Sequence, residues 1–264
     1  GLGCVSVADL FHALRALGRP MGRSLGHQAA VLKRQQEKQQ QKLKKSREGE
    51  DRQALQVLIE NNKAALHQVQ QDERTYHEAL ERISQTVHPF TLDSLQWQTQ
   101  KGLLTHLAPP LQRLWELAPA YGAQKAQQAI DTYESQITSI AQAIEAWQHR
   151  VPVALDTQSQ DPAIRHWVGT GLLPWVYWIQ QADKTRHPSL KRHYQDAASH
   201  AFDRLFEQDL TLRLDESQLE RWVLWCREFC AKSQRTSSAV EGRNGYLAKL
   251  RPARRGFSTP SLNV

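Results

Sequence analysis

Long apolar runs, cysteine and strand patterning are all scarce in this chain. No stretch approaches the roughly 18 consecutive apolar residues that would span a bilayer, and the opening GLGCVSVADL lacks the basic-then-apolar order of a signal peptide. A soluble protein of cytoplasmic location with no membrane partner is therefore expected. There are only 3 cysteines. Two of them, Cys226 and Cys230, stand one helical turn apart beside Trp222 and Trp225, and no second Cys or His pair at zinc spacing accompanies them. They read as buried, apolar-like thiols in a reducing compartment, not as the start of a metal site. Strand character is confined to Leu2 to Ala8, and no convincing internal repeat is present.

What the chain does have is helix and positive charge. Its 264 residues are 40% hydrophobic and include 8 Trp, enough to build a core. Lys and Arg number 34 against 27 acids, giving a formal net charge of +7 and a pI near 9.4. That balance favours an anionic partner, with nucleic acid the leading class. The chain begins with Gly, and its first residues read as a strand in mid-stride, so it is expected to be a piece of a longer protein.

Read along the chain, the apparent strand runs into Asp9-Leu-Phe-His12 and a short helix to Leu17. Gly18, Pro20, Gly22 and Gly26 predict a break, followed by a Gln-, Lys- and Arg-rich helical or frayed stretch from Gln28 to Arg47. From Arg52 to Val87, apolar residues at Leu55, Leu58, Ile59, Leu66, Val69, Tyr76, Leu80 and Ile83 predict a long amphipathic helix ended by His88-Pro89. Its stripe fits the core of a helical hairpin, and also a dimerising coiled coil that would make a homo-oligomer. A further helix is expected from Thr91, with Pro109, Pro110 and Pro119 as punctuation, then one from Ala123 to Arg150 and a proline turn over Val151 to Pro162. A Trp-rich Ile164 to Gln180 segment and helices around Tyr194 to Phe206 and Leu219 to Ala231 follow, with a turn or short strand at Thr211 to Leu214. The last helix is expected from Ala239 to Leu250, stopped by Pro252. The whole reads as antiparallel helices packed on one another.

Two basic stretches could meet phosphate. Lys42, Lys44 and Lys45 belong to the first, which holds seven cations against Glu37 and Glu48; a solvated helix face explains it equally well. The second is Arg243, Lys249, Arg251, Arg254 and Arg255, with no acid between Gly242 and Phe257. Asn244 and Tyr246 add polar and stacking groups, and Gly242 and Gly245 within a helical segment hint at a close approach of backbone or ligand. Glu241 completes Ser238-Ala-Val-Glu241, a capping-box pattern. A carboxylate beside basic residues is also placed to hold a divalent cation. Asp9 and His12 could share a helix-entry turn, with Asp9 as a plain N-cap the simpler alternative. From the residues alone the chain is basic, mostly helical and nucleic-acid binding.

The segment Arg235-Thr-Ser-Ser-Ala-Val-Glu241-Gly-Arg-Asn244-Gly-Tyr-Leu, followed by Arg254-Arg-Gly256-Phe257, resembles the region of the final acidic residue in bacterial DDE transposases. Asp9-Leu-Phe-His12 resembles the Asp-x-x-His motif of Mutator-like transposases, which sits on a strand before a large helical insertion. The resemblance covers about thirty residues of motif. It implies a mainly α chain in which a large helical insertion domain is attached to a partial RNase H-like α/β core contributed by the two chain ends. Residues 1–26 would be a strand and helix of that core, 27–232 the insertion, and 233–264 the Glu-bearing helix and basic tail. It also implies transposon-end DNA as partner, DNA strand cleavage and transfer in the full-length protein, and Mg²⁺ held by two aspartates and Glu241. The family's aspartates belong on strands earlier than any residue here, so the isolated chain is expected to be inactive. The alternative is a non-catalytic helical nucleic-acid-binding or scaffolding protein in which Glu241 is only a cap.

Overall fold

The protein is mainly α-helical. The structure, a computed structural model, describes residues 10–46 and 49–231. Nine α-helices are found among the described residues: α1 (Leu10–Lys45), α2 (Glu50–Thr86), α3 (Gln100–Leu117), α4 (Ala123–Gln158), α5 (Pro162–Trp167), α6 (Leu173–Lys184), α7 (Pro188–Phe206), α8 (Asp209–Arg213) and α9 (Glu216–Ala231). A π-helical turn, Val168–Leu172, joins α5 to α6. No strand occurs among the described residues; a single antiparallel bridge pairs Phe90 with Trp97. The strand expected at Leu2 to Ala8 and the helix expected from Ala239 lie outside the described residues.

α1 and α2 form an antiparallel hairpin, as the amphipathic stripe of α2 predicts. Ile59, Val69, Tyr76, Ala79 and Ile83 are its buried apolar positions. The break expected between Gly18 and Gly26 is absent, and α1 runs straight through it. Gly18 and Gly22 are there for close approach: a Cβ at either would lie 2.9 Å and 2.7 Å from the hydroxyl of Tyr76. That hydroxyl donates to the Gly18 carbonyl at 2.7 Å. Packing on α2 thus outweighs the helix-weakening tendency of two glycines and Pro20.

The same correction applies to the other prolines. Pro109 and Pro110 lie inside α3, and Pro152 lies inside α4, which continues past the turn expected at Val151 to end at Gln158. Conversely, residues 91–99 are not helical. Thr91 and Ser94 hydrogen-bond each other at 2.6 Å, the Thr91 N–H donates to the Gln96 carbonyl, and Leu95 adopts φ 57°. Short polar side chains bonding locally compete with helix there. Thr211 to Leu214, expected as a turn or short strand, is largely α8.

Two hydrophobic clusters result. The first joins α1, α2, α3 and α4 through residues such as Met21, Ile83, Leu107 and Tyr133. The second joins the 90–97 segment and the end of α4 to α6, α7 and α9. His88 is fully buried within the second region, its Nδ1 2.7 Å from the Tyr177 hydroxyl and its Nε2 3.0 Å from that of Tyr194. Cys226 and Cys230 are buried in the second cluster, as their apolar-like reading requires. Burial pushes the Cys226 thiol up and the Cys230 thiol up to about 12.

Candidate nucleic-acid interface

α1 carries the most polarised charge among the described elements. Its 36 residues hold nine Lys and Arg side chains and one acid, Glu37. All nine are exposed: Arg15, Arg19, Arg23, Lys33, Arg34, Lys38, Lys42, Lys44 and Lys45. At about 100° per residue they fall within one half of the helix circumference, roughly 180° wide. Leu14, Leu17, Met21, Leu25 and Leu32, buried or half-buried in the hairpin seam, occupy the opposite half. At 1.5 Å per residue the helix is about 54 Å long, and the cations lie along it in two runs on one face, Arg15 to Arg23 and Lys33 to Lys45, about 15 Å apart.

The hairpin fixes this stripe in space. Tyr76 anchors α1 near Gly18, Gln28 donates from its Nε2 to the Ala120 carbonyl at 3.1 Å, and Asn62 bonds Gln39 across the seam at 2.9 Å. At the tip, Arg52 reaches back to the Ser46 carbonyl at 3.3 Å, satisfying a group at the end of α1. The first cluster contains no buried residue between Leu25 and Val69. The distal part of the hairpin is therefore a two-helix arm that projects beyond α3 and α4. α2 has the opposite polarity, with seven acids against four cations. The basic stripe is one-sided.

Charge is segregated over the whole chain as well. Residues 1–45 hold nine Lys and Arg against two acids, and residues 232–264 hold seven against one. The 186 residues between hold 18 against 24. The basic pI arises entirely at the two ends, the composition a phosphate-binding surface needs and a uniformly basic globule would not show.

Of the residues singled out from the sequence, Lys42, Lys44 and Lys45 lie exposed in the last turn of α1. His12 belongs to the first turn of that helix. Asp9, Glu241, Arg243, Asn244, Lys249, Arg251, Arg254 and Arg255 lie outside the described residues. The sequence alone did not single out Arg15, Arg19 and Arg23, which carry the stripe about five turns further toward the start of α1. Their i, i+4, i+8 spacing was the available signal; the glycines and proline interleaved with them hid it. No group of three or more His, Cys, Asp or Glu side chains comes together among the described residues, so no set of ligands for the expected Mg²⁺ is found there. No helix among them is long and apolar enough to cross a membrane.

The fold and this surface define, among the described residues, a mainly helical protein with a charge-segregated hairpin. A family model described as "Family of unknown function (DUF6399)" matches residues 168–264, from the first residue of the π turn onward. No curated protein and no solved structure matches the chain.

Proposed function

We propose that the chain is a DNA-binding helical portion of a transposase-type protein, with the exposed face of α1 as its phosphate-contacting surface. The observation that carries the binding reading is the nine-to-one ratio of cations to acids on that helix, all on the face away from the hairpin seam. Such a surface attracts the duplex backbone without reading sequence. The basic tail with Arg254 and Arg255 would extend it, and Glu241 would supply one carboxylate to Mg²⁺ beside two aspartates of a longer chain. That chain would contribute the RNase H-like core and perform strand cleavage and transfer.

What supports the insertion topology is where the helical chain begins and ends. Gly18 packs against Tyr76 and Leu80, so the start of the antiparallel α1 lies beside the end of α2. Just past α2, Phe90 meets Trp147, and Trp147 meets Phe229 near the end of α9, at 5.9 Å and 5.4 Å between ring centroids. The end of α2 is thus neighbour to the start of α1 and, through Trp147, to the end of α9; an inserted domain requires its entry and exit to lie near one another.

Fluorescence anisotropy with a labelled duplex over a salt series tests the binding surface. Each lost phosphate contact lowers the slope of log K against log salt by about 0.9, so replacing Arg15, Arg19 and Arg23 together with Ala should lower it by about 2 to 3. An unchanged affinity and slope would remove α1 from the interface. For the transposase reading, the coding frame upstream of Gly1 should contain two strand-end aspartates, and the isolated chain should not cleave DNA with Mg²⁺. Glu241-dependent cleavage by the isolated chain would overturn the assignment of the missing aspartates to a longer protein.

A further inference from the structure

The α1–α2 hairpin outruns the helices that cover it. Gln28 donates to the Ala120 carbonyl, and the Tyr121 hydroxyl donates to Asp72 at 2.5 Å, so the α3–α4 junction closes the bundle at the level of these residues. Past Gln28 α1 runs on to Lys45, and before Asp72 α2 reaches back to Glu50. At 1.5 Å per residue the pair continues alone for about 25–33 Å. The three-and-four spacing that buries Ile83, Ala79, Tyr76 and Val69 also runs on, through Ala65, Asn62, Leu58 and Leu55. Out there it is open to solvent: Leu58 is 50% exposed, its neighbour Val57 60%, and Leu55 is only half-buried.

An apolar stripe of this length calls for a cover, and charge selects which. It is bordered by exposed acids, Glu50, Asp51 and Glu60, which repel a nucleic acid. The cations of α1 run alongside in the same arm. The arm therefore carries both halves of a charge match, and its complement is another arm. Across the seam Gln39 lies level with Asn62, and Ser46 with Arg52. In a two-fold pair centred on Leu58 the arms run antiparallel, and that register sets Lys33 and Arg34 of each copy at the level of Glu50 and Asp51 of the other. Two hairpins so placed make a four-helix bundle with Leu58 and Leu55 in its apolar centre. With helices about 10 Å across, the shared face is about 20 Å by 30 Å. About 600 Å² on each copy, or about 1,200 Å² in all, reaches the lower bound of a specific interface.

We infer that the distal arm, α1 beyond Gln28 with α2 before Asp72, pairs with the same arm of a second copy of this chain. The stripe of α2 then serves twice, as hairpin core near the bundle and as the contact between copies along the arm. Arg15, Arg19 and Arg23 lie outside the paired arms, so the inference stands or falls apart from duplex binding.

Sedimentation equilibrium of the 264-residue chain, freed of nucleic acid, tests it over about 1–100 µM. A mass rising from 30.2 kDa toward twice that, with a dissociation constant in the micromolar range, is expected. Leu58→Glu sets two carboxylates together at the axis and should weaken association at least about tenfold. Leu58 is half exposed, so thermal unfolding of that variant followed by circular dichroism should match the parent. Glu50→Lys with Asp51→Lys should weaken association by about tenfold as well, and adding Lys33→Glu with Arg34→Glu should restore it, a rescue that local damage to α2 would not give. In a Cys4→Ser background, Leu58→Cys should form a disulfide between copies under mild oxidant, and Lys63→Cys, on another face of α2, should not. A monomer at about 100 µM, including one that assembles only on added duplex, overturns the inference. So does a dimer indifferent to Leu58→Glu, or a charge reversal without rescue.

Discussion

Gly22 shows how a residue read as a breaker becomes a requirement. A methyl group there would meet the Tyr76 hydroxyl at 2.7 Å, and that oxygen is held by its bond to Gly18. Gly22→Ala gains about 1 kcal/mol of helix propensity but incurs an overpacking cost of about 1–3 kcal/mol, so a net loss of up to about 2 kcal/mol is expected in urea unfolding. With Tyr76→Phe the nearest atom recedes to the ring carbon at 3.2 Å, and Gly22→Ala should become close to neutral in that background. An equal loss in both backgrounds would mean that the glycine matters for another reason. The buried thiols give a second test. Cys226 and Cys230 should resist a thiol reagent in the folded protein with Cys4→Ser and react once unfolded. Their folded pKa values lie above the ordinary 9.0, so an unfolded chain ionises first as pH rises. Stability from this source is complete below pH 9.0 and falls from there through about 12. Tyr121, raised by burial and by its hydrogen bond to Asp72, adds to the fall. Urea melts at about pH 8 and about pH 10.5 should show the decline, and Cys226→Ala with Cys230→Ala should reduce it.

Among the elements, those legible in the sequence were the ones whose local rules and packing agree. α2 shows its buried stripe openly, and α9 keeps its two thiols on one face behind a reciprocal cap: Asp215 accepts from the Gln218 N–H at 2.8 Å while Gln218 accepts from the Asp215 N–H at 3.2 Å. Proline and glycine misled because tertiary contacts override them, as at Pro20, Pro109, Pro110 and Pro152. The π turn carried no sequence signal of its own. Its extra residue displaces the bonding register, so the Leu173 N–H bonds Val168 and the Thr170 hydroxyl bonds the His166 carbonyl at 2.8 Å. Gly171 sits where that turn touches α7, and a Cβ there would lie 2.9 Å from both the Leu205 side chain and Gln208. Leu205 is buried and cannot swing away. Gly171→Ala should cost about 1–3 kcal/mol, read as a lower urea midpoint with an unchanged slope.

At the scale of the molecule, composition announced a basic protein but not where the charge lies. Only the hairpin placed the cations of α1 on one face, because Arg15, Arg19 and Arg23 fall on the same side as Lys33 and Arg34 once the helix is continuous. Glu241 and the tail cations, which carry the resemblance to transposases, are outside the described residues, so the candidate metal ligand was legible in sequence alone. The uninterrupted α1 also has a bearing on synthesis. Nine like charges on one helix repel each other, and its apolar seam has no cover until α2 has been made. α1 therefore leaves the ribosome without its packing partner, and its seam can be covered only as Ile59, Val69, Tyr76 and Ile83 of α2 emerge. During that interval its basic residues are open to the ribosome's own RNA, and the acidic α2 is the first part of the chain able to draw them away.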